Sequence, residues 1–311
     1  MQLVFNFLKR LLARRKPEEP APRHDLDATV PLSPDIVAQL SPDAKKAFAE
    51  TSSSNRLRFS WAQDTGKVRE HNEDVLLAVT SELAGLETMP ALGLFLVADG
   101  MGGHALGERA AGMAARAVAR SILEQFLPSV LTDSLVEVER PDLFEVMQTA
   151  MLTANRAVNR VAPNGGTTLT CAVLLDRQLV VAHIGDSRAY LVAEGRLEQL
   201  THDHTLVKRL EEMGQLTAAE AAVHPQRNIL YRALGQQLET VEAEITSVRL
   251  PPRASVLLCS DGLWSLVPDD KILAIIQQSA SLQTTCEALV AAANAGGGLD
   301  NISVVLAQAP E

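Results

Sequence analysis

The stretch that most constrains this chain is Leu94-Phe95-Leu96-Val97-Ala98-Asp99-Gly100-Met101-Gly102-Gly103-His104. An apolar run stops at an acid, a glycine-rich turn follows, and an alanine-rich helical stretch comes next. The run is too short to cross a bilayer and has the length of a buried strand. It delivers Asp99 to the edge of a core. Gly100 has no Cβ, so its carbonyl can approach a ligand closely. An acid beside a bare carbonyl suits a hard cation.

Taken once, Asp-Gly after a strand is an ordinary turn. Here the pattern recurs. Leu179 to Gly185 leads to Asp186, Ser255 to Ser260 leads to Asp261-Gly262, and Asp300-Asn301 precedes Ile302 to Leu306. Four acids at the ends of strand-like runs predict one convergent carboxylate site. Carboxylates gathered that way repel one another unless cations neutralise them.

Composition sets the outer limits. A chain of 311 residues with 47% hydrophobic content can build one large core domain plus appendages. A net charge of -10 argues against general nucleic-acid binding by the body. Cys171, Cys259 and Cys286 form no CxxC pair and no zinc pattern, which favours a reducing compartment.

Three regions are expected. Residues 1–16 read as a basic amphipathic helix: Met1, Val4, Phe5, Leu8, Leu11 and Leu12 share an apolar face, and Lys9, Arg10, Arg14, Arg15 and Lys16 supply charge. The helix cannot span a bilayer, and its charge follows the apolar part rather than preceding it as in a secretory signal. It suits an anionic membrane surface, docking on a protein, or a free tail. Residues 17–54 hold six of the 15 prolines and read as a Pro-rich linker, either an inert spacer or the carrier of a short docking motif. Residues 55–311 form the globular domain.

Within that domain the pattern predicts strands at 57–63 and 75–79, long helices at 106–126 and 143–161, and two strands joined by a turn at Asp176-Arg177. A strand at 189–193, strands near 241–249 and 255–260, helices at 268–279 and 282–295, and a last strand follow. Residues 201–235 break the rhythm and read as a mobile lid or as a surface insertion. Strands come in meanders and helices in pairs, which predicts an antiparallel α+β layered fold.

The ordered set Arg69-x-x-Asn72-Glu73-Asp74, Asp99-Gly100-Met101-Gly102-Gly103-His104, Gly166-Thr167-Thr168, Gly185-Asp186-Ser187-Arg188, Asp203-His204-Thr205, Ser260-Asp261-Gly262-Leu263-Trp264 and Asp300-Asn301-Ile302-Ser303 closely resembles the type 2C metal-dependent protein phosphatases, in particular their bacterial branch. The resemblance covers roughly residues 57–307. It implies a four-layer α-β-β-α sandwich, two antiparallel sheets flanked by helix pairs, with a two-metal site at one end. It implies hydrolysis of phosphoserine and phosphothreonine in proteins. By position, Asp99 would bridge two Mn²⁺ or Mg²⁺ ions, with the Gly100 carbonyl, Asp261 and Asp300 as further ligands. Glu73 and Asp74 would act at or just behind the metals, Arg69 would hold the phosphate, and Asp186 with Asp261 would bind a third, weaker metal.

The residue types suit that chemistry. Two cations neutralise an anionic phosphoester and lower the pKa of a water aligned for in-line attack, and both metals prefer oxygen ligands. The position after Asp99-Gly100 is Met101, where some members carry a histidine proposed as proton donor. His104 is a candidate in its place, and a metal-bound water is the other. His71, His183 and His204 are read as structural. The expected partners are phosphorylated proteins, including a Ser/Thr kinase and its targets, in the cytoplasm and with membrane-surface contact through residues 1–16. Two other readings stay open: a phosphoprotein-binding pseudophosphatase and a phosphatase of small phosphoesters.

Overall fold

The structure, a computed structural model, describes residues 56–82, 90–103, 105–131, 140–236 and 241–310. The expected helix at 1–16, the linker at 17–54 and His104 lie outside these residues. In chain order the first elements are β1 (Arg58–Asp64), β2 (Val75–Ser81), β3 (Leu92–Ala98), β4 (Gly100–Met101), α1 (Ala105–Leu131) and α2 (Leu143–Val161). Next come β5 (Gly166–Thr167), β6 (Leu169–Leu175), β7 (Gln178–Ile184), β8 (Arg188–Ala193), β9 (Arg196–Gln199), α3 (Leu206–Glu212) and α4 (Ala218–Ala222). The chain ends with β10 (Glu244–Arg249), β11 (Ser255–Cys259), α5 (Asp261–Trp264), α6 (Asp269–Gln278), α7 (Leu282–Ala295) and β12 (Ile302–Gln308).

Two five-stranded sheets carry the fold, one in the order β1-β12-β11-β8-β9 and the other β10-β7-β6-β3-β2. Every pairing within them is antiparallel. The layers follow from side-chain alternation along each strand. Leu92, Leu94, Leu96 and Ala98 of β3 pack with α1 and α2, while Phe95 and Val97 point between the sheets. In β12, Val305 and Ala307 face the other sheet, and Ile302, Val304 and Leu306 pack with α6 and α7. Central strands buried on both faces read as unbroken apolar runs. The result is the expected α+β arrangement of helix pair, sheet, sheet and helix pair.

Local chemistry sets the helix ends. The Asp142 side chain accepts from the Phe144 amide at 2.9 Å and starts α2. Buried alanines at 110, 111, 114 and 115 let α1 lie close to the sheet. That helix runs five residues past the expected end at 126, through Pro128 to Leu131. Burial of Phe126 and Val130 holds the last turn despite the amide that proline lacks.

The ends of several strands meet on one side. Val75 pairs with Ala98, Val97 with Thr170, and Thr170 with His183, in one sheet. Cys259 pairs with Val304 and with Arg188 in the other. Residues 74, 99, 186, 261 and 300 therefore emerge at the same end of the sandwich.

Candidate functional site

Hydrogen bonds from the end of β12 shape this centre. Buried Asn301 accepts from the Glu73 amide at 2.8 Å and donates to the carbonyls of Thr65 and His71, each at 2.9 Å. One side chain thus holds the whole 65–73 loop against the strand. Ser303 Oγ donates to Asp74 Oδ2 at 2.7 Å, and Ser260 Oγ accepts from the Ser303 amide at 3.0 Å. Asp99 is held through its backbone: its amide donates to Thr168 Oγ1 at 2.9 Å, and its carbonyl accepts from the Thr168 amide and from Thr167 Oγ1, both at 2.9 Å. Arg69 Nη2 lies 2.7 Å from Asp300 Oδ2. Glu73 reaches the first turns of α1, where a Cβ on Gly107 would overlap its carboxylate.

The electrostatics are those of crowded acids. Burial raises Asp99 well above the usual carboxylate range, and Asp74, Asp261, Asp186 and Asp300 add repulsion. Burial raises Asp74 to about 7, with Asp261 and Asp300 contributing and the bond from Ser303 opposing. Asp261 is pushed up to about 6, first by burial and then by Asp300, against the pull of Arg69. Asp186 rises well above its ordinary value through burial and then through Asp261 and Asp203. The strand ends that carry them meet at one end of the sandwich, so the structure brings together the five predicted aspartates.

Two oxygens at this centre, Asp74 Oδ1 and Asp261 Oδ1, are buried with no hydrogen-bond partner. A buried carboxylate oxygen without a partner is costly, and a bound cation would supply the missing interaction. Among the described residues, no three acidic, histidine or cysteine side chains form a ready-made cage for one ion. The fit to hard cations lies instead in the orphaned oxygens, the raised proton affinities and an all-oxygen donor set.

A cavity of about 430 Å³ opens beside the acids. Asp186, Asp261 and Asp300 line one side, and Lys208, Ala221 and Arg227 of the 201–235 segment line the other. A second depression of about 440 Å³, bounded by Val192, Pro251, Gln277 and Leu282, contains none of the predicted site residues. His183 and His204 are buried and bonded to protein groups. His183 bridges Thr170 Oγ1 at 2.9 Å and the His202 carbonyl at 3.0 Å, and His204 Nδ1 accepts from the Gly185 amide at 3.1 Å.

Asn301, Ser303 and Ser260 carry no individual role in the sequence reading, yet they organise the acids. Their signal is a polar residue alternating into an otherwise apolar strand, as in Ile302-Ser303-Val304, where a buried polar group needs a partner. Arg188, Asp203 and Trp264 likewise stand in the motifs without a role, and they form one contact cluster beside Asp186.

Comparison with known proteins agrees with this geometry. The family model described as protein phosphatase 2C matches residues 62–302. The serine/threonine phosphatase stp of Listeria welshimeri is 36% identical over 247 residues, covering 79% of this chain and 93% of that protein. The crystal structure of the Mycobacterium tuberculosis serine/threonine phosphatase PstP/Ppp superposes with a TM-score of 0.67 at 35% identity, covering 82% of this chain and 99% of that one. A structure of the PstP catalytic domain in complex with two manganese ions gives a TM-score of 0.63 at 34% identity, over 81% of this chain and 97% of its own. With the family model spanning most of the chain and the acids gathered at one end of the sandwich, this chain belongs to the protein phosphatase 2C family.

Proposed function

We propose that the chain is a metal-dependent protein serine/threonine phosphatase whose aspartate centre holds two Mn²⁺ or Mg²⁺ ions. The observation that carries this is the pair of orphaned, buried oxygens on Asp74 and Asp261 within a cluster of mutually repelling aspartates. The manganese-bound relative and the family match support it. Asp99, Asp261, Asp300 and the Gly100 carbonyl are the ligands we assign, with Asp74 and Glu73 beside them and Asp186 toward a third, weaker ion. When bound, two cations neutralise the phosphoester and acidify the attacking water.

The chain's own residues do the rest. Arg69 is half exposed at the mouth of the site and presents a planar fork that matches phosphate. Asp74 takes a hydrogen bond from Ser303, which fixes its orientation. Thr167 and Thr168 hold Asp99 by its backbone, and its carboxylate meets that of Asp261. The 201–235 segment forms the outer wall where the part of a substrate beyond its phosphate lies.

The substrates are phosphorylated proteins, and we assign a Ser/Thr kinase and its targets as the signalling partners. By sequence, residues 1–16 combine apolar spacing with five basic residues, from which we infer contact with an anionic membrane surface. Among the described residues, no helix is long and apolar enough to cross one. Co-sedimentation with anionic vesicles, with and without residues 1–16, tests that contact, and equal binding of both forms counts against it. The activity is tested by comparing kcat/KM on a phosphothreonine peptide and on p-nitrophenyl phosphate with Mn²⁺. A clear preference for the peptide is expected. Hydrolysis of the small ester alone would move the assignment to small phosphoesters, and no hydrolysis of either would favour a binding role.

A further inference from the structure

Arg188, Asp203 and Trp264 belong to motifs that the hydrolytic reading leaves without a task. Arg188 opens β8 two residues after Asp186. Its Nε and Nη2 donate to Asp203 Oδ1 and Oδ2 at 2.9 and 2.7 Å, and its Nη1 donates to Tyr190 Oη at 3.0 Å. The guanidinium carbon lies 3.6 Å from the centroid of the Trp264 ring. Trp264 Nε1 in turn donates to the Asp186 carbonyl at 2.9 Å. The Arg188 and Asp203 side chains are only 16% and 8% exposed.

Each partner lies at a significant place. Trp264 is the last residue of α5, the helical turn that Asp261 begins. Asp203 is in the root of the lid segment, immediately before His204, whose amide donates to the Gly185 carbonyl at 2.7 Å. Thr205 then caps α3, accepting from the Lys208 amide at 3.2 Å. Gln199 Nε2 adds a bond to Asp203 Oδ1 at 3.2 Å. One guanidinium therefore joins the lid root, the turn that carries Asp186 and the turn that carries Asp261.

A buried ion pair is a poor device for stability alone, because desolvation offsets the attraction. A bidentate fork with a stacked face has a different use, since it fixes direction as well as distance. Lysine keeps the charge but can supply neither the fork nor the flat face. We propose that Arg188 is a positioning residue that sets the lid root and the acids Asp186 and Asp261 in one frame, through Asp203 on one side and Trp264 on the other. The inference rests on the reading of those acids as metal ligands. Groups that orient ligating carboxylates alter metal affinity about 10–100-fold when removed.

The two arms can be tested apart, on the full chain. Arg188→Lys and Asp203→Asn break the arm to the lid. Trp264→Phe keeps a ring beneath the guanidinium but removes the bond to Asp186. Two readouts need no substrate: Mn²⁺ affinity by titration calorimetry, and the rate of trypsin cleavage within 206–235 of the native protein. A third is the split between KM and kcat for a phosphothreonine peptide.

Arg188→Lys is expected to speed lid cleavage several-fold, to weaken Mn²⁺ binding about tenfold and to raise KM more than it lowers kcat. The double variant Arg188→Lys/Asp203→Asn is expected to be no worse than either single one, as residues acting as a unit behave. Trp264→Phe is expected to weaken Mn²⁺ binding with lid cleavage unchanged. Wild-type lid cleavage and Mn²⁺ affinity in folded Arg188→Lys, or effects that multiply in the double variant, would overturn the proposal. If Arg188→Lys does not fold, wild-type Mn²⁺ affinity in Trp264→Phe does so. Calorimetry and cleavage are read without turnover, so loss of the phosphatase reading and loss of this one give different results.

Discussion

Arg69 Nη2 sits 2.7 Å from Asp300 Oδ2, joining the loop after β1 to a residue two positions before β12 across 231 positions of chain. The two side chains are 53% and 29% exposed, so the pair lies at the mouth of the acidic centre and in contact with solvent. An exposed pair contributes about 1 kcal/mol or less to stability. Its placement makes sense as a reserve of positive charge beside a site that receives an anion.

Arg69→Ala should therefore separate stability from function. We expect a change of less than about 1 kcal/mol in urea unfolding. The kcat/KM for a phosphothreonine peptide should fall about 10²–10³-fold, the size expected for losing a donor to a developing charge. A large loss of stability with activity retained would show that Arg69 is structural.

Asn301→Ala should have the reverse balance. It removes the bonds that the Glu73 amide and the Thr65 and His71 carbonyls make to this side chain in a part-buried setting. A loss of about 2–4 kcal/mol is expected, because several buried polar groups lose satisfaction together. Denaturant midpoints at constant m-value measure it. A loss below about 0.5 kcal/mol would mean that water replaces the side chain at little cost.

Gly107→Ala adds a methyl where Glu73 lies. Helix propensity alone favours alanine by about 1 kcal/mol. Displacement of the Glu73 carboxylate, and of the Gly100 backbone whose carbonyl carbon would lie 2.9 Å from the new methyl, outweighs that gain, so a loss of stability together with weaker Mn²⁺ binding is expected. Calorimetry and thermal unfolding on the same sample separate the two effects. Unchanged affinity would place Glu73 outside the metal centre.

The acids and the histidines respond to pH with opposite signs. Asp74 and Asp261 are raised to about 7 and about 6, so the metal-free folded state binds more protons than the unfolded chain between about pH 4 and 7. Their contribution is fully present below about pH 4 and is lost as pH rises through 6–7. Cations that bind the ionised acids should restore it, so the Tm gain from Mn²⁺ should be larger at pH 7.5 than at pH 5.5. His183 and His204 are lowered to about 4 and about 3, chiefly by burial. Their contribution is present above about pH 6.5 and is lost as pH falls through 4. Protection of the Gly185 amide, which donates to His204, relative to an unstructured amide at the same pH should fall as His204 protonates near pH 3. A Tm gain from Mn²⁺ that does not change with pH would contradict the assignment of the acids.

Much of this was readable before folding, for particular reasons. β3 and β12 are apolar on both faces, so their acids at 99 and 300 stand out as strand termini. The first long helix, α1, shows in its alanine-rich run, whereas the Asp142 cap of α2 emerges only in the structure. β9 leaves no mark in the sequence because Arg196–Gln199 is short and mostly exposed and lacks apolar alternation. The supports were hidden for another reason. Asn301 meets His71 only when the loop after β1 folds back on β12, and Ser303 meets Asp74 only when the sheet of β12 packs on the sheet of β2, so their partnership depends on tertiary packing rather than on local pattern.

The most direct measurement is Mn²⁺-dependent phosphate release from a phosphothreonine peptide by the wild type, Asp99→Asn and Asp261→Asn, with Mn²⁺ affinity determined on the same preparations. A two-metal phosphatase predicts release that requires the metal and falls by several orders of magnitude in both variants, together with weaker Mn²⁺ binding. Release that persists in chelator, or variants that bind Mn²⁺ and turn over like the wild type, would contradict it.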